Sequence, residues 1–227
     1  MPRCLLLVII LAMCPSCLGV SGARAEEHDP QALLLLQEAA RHSANIATLS
    51  ADFQQEKKLG ILAQPLTSQG YMCVTRVADP SGGQASPAPS SAHRERLLWA
   101  YTSPAPSGFV YENGQGALWE AQPSNKRTAG PQEARVITAI VRHILDWVRI
   151  DAEALQQAYR LERPDKELPV LLLYPRRQSF FTRLEAVFAP ALDSVRQLTF
   201  FEPNGDTVSI MFTDTQINRP LPARCFQ

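Results

Sequence analysis

The side chains able to do covalent or metal chemistry are few and scattered. The four histidines, His28, His42, His93 and His143, have no partner at the short spacing that metal ligands share, no HExxH occurs, and the one CxxC run, Cys14-Pro15-Ser16-Cys17, falls in the apolar stretch at the chain start. GxSxG, P-loop and GxGxxG signatures are absent as well. Ser50-Ala51-Asp52 and Ser107-Gly108 read as ordinary strand and turn residues. The expectation is a protein that is not an enzyme, with no metal and no cofactor. What the sequence does concentrate is apolar surface. Residues Arg94 to Glu120 hold Trp99, Tyr101, Phe109, Tyr111 and Trp119. The chemistry open to such a stretch is non-covalent. Each methylene moved out of water gains ~0.8 kcal/mol, so a long acyl chain gains on the order of 10 kcal/mol gross. Phe53, Leu97, Trp99, Tyr101, Phe109 and Trp119 either fill an ordinary core or line a pocket for such a chain, and periodicity does not separate the two.

These residues need a sheet to hold them. Arg96–Tyr101 is an apolar, aromatic run bounded by turn formers, and Thr102–Ser107 carries Pro104 and Pro106, which cannot continue a ladder. Gly108–Tyr111 resumes the strand, Asn113-Gly114 turns it and Ala117–Trp119 returns. Upstream, Ser50–Leu59 alternates as a strand with one wet face, and Pro65–Val77 makes a second, in which Gly70 marks a bulge or a close approach. Residues 79–92 are almost all Pro, Gly, Ser and Ala and read as a flexible hairpin loop. Downstream come strands at Val170–Tyr174, Phe180–Phe188, Val195–Glu202 and, after Asn204-Gly205, Asp206–Phe212, then a Pro-rich tail. Asp29-Pro30 starts a helix over Gln31–Thr48, with Leu33, Leu36, Ala40 and Ala44 at helical spacing and Leu34, Leu35 and Ala39 widening the stripe. Glu133–Val148 is an amphipathic helix with Ile137, Ile140, Val141, Ile144 and Val148 on one side and Arg135, Arg142 and His143 away from it, and Asp151–Tyr159 is a short further helix. Roughly ten strands joined by hairpins, with two substantial helices, imply an α+β fold on an antiparallel sheet large enough to curl.

The chain start reads as a signal peptide: Met1-Pro2-Arg3, an apolar run through Val20, and the A-x-A site Ala23-Arg24-Ala25. A mature chain beginning at Glu26 forms one domain over 26–227, in the periplasm. Of 22 basic and 22 acidic residues, Arg3 and Arg24 precede Glu26, leaving 20 against 22, a net of minus two. That is no nucleic-acid footprint. Cys73 and Cys225 remain after cleavage; in an exported protein such a pair suggests a disulfide, two separate buried thiols being the alternative.

The motifs taken together resemble a family. Ala51-Asp52-Phe53-Gln54-Gln55 resembles the SADFxQ opening of LolA, the periplasmic carrier of outer-membrane lipoproteins. Leu98–Pro104, Phe109-Val110, Asn113-Gly114 and Leu118-Trp119 resemble its Trp- and Tyr-bearing central block, and Glu202–Phe212 with Asn218–Pro222 and Phe226 its closing strand and N-x-P-L-P tail. The resemblance implies an incomplete, curled antiparallel β-barrel with a helical lid over an apolar cavity. It implies acylated lipoproteins as cargo, an inner-membrane ABC release complex and an outer-membrane receptor as partners, and a monomer. By parity with the family's Trp, Leu97, Trp99 and Tyr101 face inward. Phe53 and Phe109 join them, with Ile137, Ile140, Val141 and Ile144 from the second helix. The family's lid-closing Arg-Pro is replaced by His93-Arg94-Glu95-Arg96, so Arg94 is the candidate and Arg96 the reserve. Lys57–Leu59 and Pro65–Gly70 look more like a LolA-related subgroup, which leaves another envelope lipid or glycolipid as an alternative cargo. A non-carrier interaction or sensor domain on the same fold is the third reading.

Overall fold

The computed structural model describes residues 28–78, 93–112, 115–121 and 126–226; the side chains of residues 77, 78, 93, 94, 131, 135–137, 139 and 140 lie outside that description. The expected signal peptide, the expected loop at 79–92 and the expected turn at Asn113-Gly114 also fall outside it. The chain begins with α1 (Pro30–Ser43), β1 (Thr48–Lys58) and β2 (Leu66–Ala78). Next come β3 (His93–Ser103), β4 (Ser107–Glu112), β5 (Gln115–Glu120), β6 (Arg127–Thr128), α2 (Pro131–Arg149) and α3 (Ala152–Ala158). It closes with β7 (Tyr159–Glu162), β8 (Val170–Pro175), β9 (Arg183–Phe188), β10 (Val195–Phe201) and β11 (Thr207–Ile217). The strands form one sheet in the order β6-β5-β4-β3-β2-β1-β11-β10-β9-β8-β7. The sheet is open, with β6 and β7 at its edges, and the fold is the expected α+β class. The two edge strands, β6 and β7, were not anticipated. Both are short, and neither alternates long enough to leave a periodic signal.

The chain clusters into two compact units. The first holds Met1–Ala44, Glu56–Leu66 and Asp146–Ile210. Here α1 packs on β7 and α3. The Asp29 carboxylate caps α1 by accepting from the Gln31 N–H at 2.9 Å and reaches the Arg163 N–H at 3.0 Å. The cross-strand neighbours Leu161, Leu173 and Leu184 stack on β7, β8 and β9, and all three are fully buried. The buried stripe of α1 is Ala32, Leu35, Leu36, Ala39 and Ser43, while Leu34 is exposed. Of the wide expected stripe, Leu35, Leu36 and Ala39 are buried, Leu33 and Ala40 are half-buried, and Leu34 and Ala44 face outward. The run Leu33–Leu36 is apolar all round, so its own period cannot fix its phase; docking does. The helix also ends before the expected Thr48. The Ser43 hydroxyl donates to the Arg149 carbonyl at 2.7 Å, and the strand β1 begins five residues later.

The second unit holds Asn45–Gln55, Thr67–Leu145 and Met211–Gln227. Its β2, β3 and β4 are in antiparallel register, with Met72, Trp99 and Phe109 directly opposite one another, and Val74 opposite Leu97. Side chains alternate across a strand, so Leu97, Trp99 and Tyr101 share one face and Arg96, Leu98 and Ala100 the other. On that second face Cys73, Leu98, Ala100 and Trp119 form a buried cluster, against which Tyr71, Val110, Cys225 and Phe226 pack.

The cover of the second face is the chain's own C-terminus. Cys73 and Cys225 are joined by a disulfide across 152 residues of sequence. Asn218, at φ 54°, accepts from the Ala47 N–H at 2.7 Å and donates to the Asn45 carbonyl at 2.9 Å. The Arg224 guanidinium pairs with the Asp52 carboxylate and lies 4.5 Å over the Tyr71 ring. Reduction, or Cys225→Ser, should therefore cost about 2–4 kcal/mol, because an unfolded chain freed of so long a loop gains entropy. The measurement is the unfolding midpoint with and without reductant. An unchanged midpoint would mean that the non-covalent clasps hold the tail unaided.

Candidate functional site

The candidate site is the face of the sheet that carries Trp99. Phe53 on β1 stacks on Trp99, with ring centroids 4.3 Å apart and planes 26° apart. Tyr101 meets Phe53 edge-on at 5.4 Å and Trp99 at 6.4 Å, and Phe212 on β11 meets the Trp99 ring edge-on at 6.4 Å. Such offset and edge contacts add about 0.5–1.5 kcal/mol each beyond simple burial. Phe53, Leu97, Trp99 and Phe109 are all buried, and Tyr101 is half-buried. These five side chains thus form a continuous aromatic and aliphatic wall on one face of the second unit.

The wall has one polar node. The Tyr101 hydroxyl donates to the Gln55 side-chain oxygen at 2.9 Å, and Gln55 is itself buried. Burial pushes the Tyr101 phenol above its ordinary range, while the neighbouring Trp99 pulls the other way. The phenol therefore stays neutral at physiological pH and acts as a hydrogen-bond donor. Gln55, Met72 and Phe212 complete the wall and were missing from the sequence-based set. Gln55 belongs to the SADFxQ-like motif and to the same strand face as Phe53, two residues away, so alternation alone would have found it. Phe212 comes from the far end of the chain and carries no such signal.

Other candidates fall elsewhere. Val141 on α2 is fully buried and Ile144 is half-buried; the side chains of Ile137 and Ile140 lie outside the described residues. The backbone of Arg94 pairs with Val77, and its side chain also lies outside the description. Arg96 sits on the face opposite Trp99. Its Nε lies 3.1 Å from the Glu112 carboxylate and its guanidinium 4.2 Å over the Phe226 ring. Trp119, grouped by sequence with the apolar payload, is likewise on the tail-covered face.

One titratable group differs from its expected setting. His143 was placed away from the apolar stripe of α2, yet its Nε2 is buried, and burial lowers its pKa from 6.5 to about 4. A helix turns by 100° per residue, so a residue just after the stripe is carried inward when the helix beds deeply. The histidine is neutral when folded and protonates more readily when unfolded. Its contribution is complete above pH 6.5 and is lost as pH falls toward 4, by up to ~3 kcal/mol. His143→Gln should flatten the wild-type decline in melting temperature across pH 6.5–4; an unaltered slope would remove His143 as its source.

Among the described residues, no group of three or more His, Cys, Asp or Glu is arranged to hold a metal ion, and no helix is long and apolar enough to cross a membrane. Fold and wall together define an α+β protein built on an open antiparallel sheet with one aromatic-rich face. Residues 93–227 match the family model for the outer membrane lipoprotein carrier protein LolA, and the chain belongs to that family. Among curated proteins none matches. Solved structures similar to the chain include MucB, at 16% identity and a TM-score of 0.47, covering 88% of this chain and 63% of that one. Another is Mycobacterium tuberculosis lipoprotein LppX, at 7% identity and a TM-score of 0.43, covering 86% and 98%. A LolA superfamily protein from Nitrosomonas europaea is similar at 11% identity and a TM-score of 0.37, covering 86% and 97%. These likenesses are distant, and no residue role is carried over from them.

Proposed function

We propose that this chain is a periplasmic, ATP-independent carrier that shields the acyl chains of lipoproteins between the inner and outer membranes. The observation that carries this reading is the contiguous wall of Phe53, Leu97, Trp99, Tyr101 and Phe109, apolar apart from the Gln55–Tyr101 pair and the buried Trp99 Nε1 among the described residues. An acyl chain asks for continuous apolar contact and nothing directional along its length. Such a wall supplies that, and transfer makes and breaks no covalent bond. Family membership supports the same class of ligand. The carrier domain of this reading also includes β1 and β2, which belong to the same sheet as the matched strands. In this reading α2, with Val141 and Ile144, closes over the bound chain. Arg94 is the residue that fixes the lid, since Arg96 is engaged by Glu112 and Phe226. The protein acts as a monomer, loaded by an inner-membrane ABC release complex and emptied by an outer-membrane receptor. Binding must stay reversible, so the receptor holds the same cargo more tightly.

The test is native mass spectrometry of the protein purified from periplasm without detergent, followed by organic extraction. A bound acylated polypeptide is the expected result. A free glycerolipid or glycolipid would keep the apolar site and move the function to lipid transport. An empty protein that also refuses added lipoprotein would overturn the carrier reading and leave the wall as ordinary core.

A further inference from the structure

The turn between β1 and β2 breaks the pattern of the rest of the molecule. Residues 59–66, Leu59-Gly60-Ile61-Leu62-Ala63-Gln64-Pro65-Leu66, carry no charge. Ile61 is 90% exposed, more than any other large apolar residue described, with Leu62 at 44% and Leu66 at 51%. A loose loop of this composition would fold its aliphatics back onto the protein. This one is held out. The Leu62 N–H donates to the Leu59 carbonyl at 2.9 Å, and the Gly60 N–H donates to the Asp206 carboxylate at 2.8 Å. Asp206 is itself fixed in the β10–β11 turn, where Asn204 donates to it at 2.8 Å. Glu56 and Lys58 pair at 3.2 Å, leaving the Lys57 ammonium at the base of the tip without an ion pair among the described residues; Glu202 is the remaining charge on the neighbouring turn.

We propose that the 59–66 tip is a membrane-contact element that inserts Ile61, Leu62 and Leu66 into the interfacial zone of a lipid bilayer, with Lys57 at headgroup level. The occupant follows from size and shape. Three aliphatic side chains on a convex turn offer a few hundred Å² at most, well short of the ~1,000 Å² that a specific protein interface or a stable dimer needs. A bilayer needs no complementary partner surface. It takes up exposed aliphatics wherever they project, and a lysine at the base of the tip lengthens its reach to lipid phosphates. The inference stands apart from the identity of the cargo, because the tip carries none of the wall residues. It gives the protein a way to dwell at a membrane surface while cargo is exchanged.

The test uses the purified protein and vesicles of phosphatidylethanolamine and phosphatidylglycerol in a flotation assay. Wild type should co-float, and Ile61→Asp/Leu62→Asp should bind at least tenfold more weakly with an unchanged melting temperature, both sites being exposed. Ile61→Trp is the direct reporter: its emission should shift to the blue on vesicle addition and be quenched by brominated acyl chains, against the buried Trp99, Trp119 and Trp147. Absence of wild-type binding, equal binding by the double variant, or a silent reporter would each overturn the proposal. So would sedimentation showing a wild-type dimer that the double variant dissolves, which would assign the tip to a second copy of the chain.

Discussion

Trp99→Ala is expected to lower the free energy of unfolding by about 3–5 kcal/mol, the usual cost of deleting a large buried aromatic. The residue is 3% exposed and stands at the crossing point of the wall, stacked on Phe53, edge-on to Tyr101 and Phe212, and flanked in register by Met72 and Phe109. Removing the indole leaves a void that no single neighbour can fill, because the β2–β4 backbones around it are fixed by their ladders. Denaturant titration checks the size of the effect. Trp119→Ala is the informative comparison. That indole is equally buried, but on the tail-covered face with Cys73, Leu98 and Ala100. Both variants should lose similar stability, while only Trp99→Ala should lose co-purifying acyl cargo. Equal cargo in the two folded variants would show that the Trp99 face is core and not a binding surface.

Gly70→Ala should cost about 3 kcal/mol or more, at or beyond the upper end of ordinary overpacking. A Cβ at Gly70 would stand 2.0 Å from the Ala100 carbonyl oxygen and 2.5 Å from the Phe53 ring. The first contact is with backbone in the adjacent strand and cannot be relieved by a rotamer change. The second pushes Phe53 off Trp99. Gly108→Ala meets the same obstacle, 2.3 Å from the Trp99 carbonyl oxygen and 2.4 Å from the Trp119 ring. Gly60→Ala is the control, since a Cβ there meets nothing nearer than 3.7 Å, and it should stay within about 0.5 kcal/mol of wild type. Melting temperatures of the three variants decide the matter. A Gly70→Ala protein as stable as Gly60→Ala would mean that β2 and β3 separate more easily than their register implies. The sequence flagged Gly70 as a bulge or a close approach, and it is both: the β2–β3 register shifts between Gln69 and Gly70.

Much of the second unit was legible because its information is local. The strand β3 was expected over Arg96–Tyr101 and runs His93–Ser103, and the expected helix Glu133–Val148 runs Pro131–Arg149. Sheet alternation then carried Leu97, Trp99 and Tyr101 to one face as soon as any one of them was placed. Less legible was β11. Its expected end at Phe212 fell short of Ile217, because the strand continues on polar residues that bury nothing and leave no apolar period.

The amino-acid sequence by itself determined the types of the longer elements, the antiparallel class and the shared face of Leu97, Trp99 and Tyr101, because periods of 2 and 3.6 and turn chemistry act over a few residues. Only the tertiary structure decided what each face meets. It set the phase of α1 within an all-leucine run and buried the His143 ring nitrogen. It gave Arg96 to Glu112 and Phe226 and seated the C-terminal tail over Trp119. Each of these rests on packing or on partners far along the chain, with Cys225 closing on Cys73 across 152 residues as the extreme case. A hydrophobic period states that a face will be covered; which segment covers it depends on the closure of long loops and the fit of the surfaces that then meet.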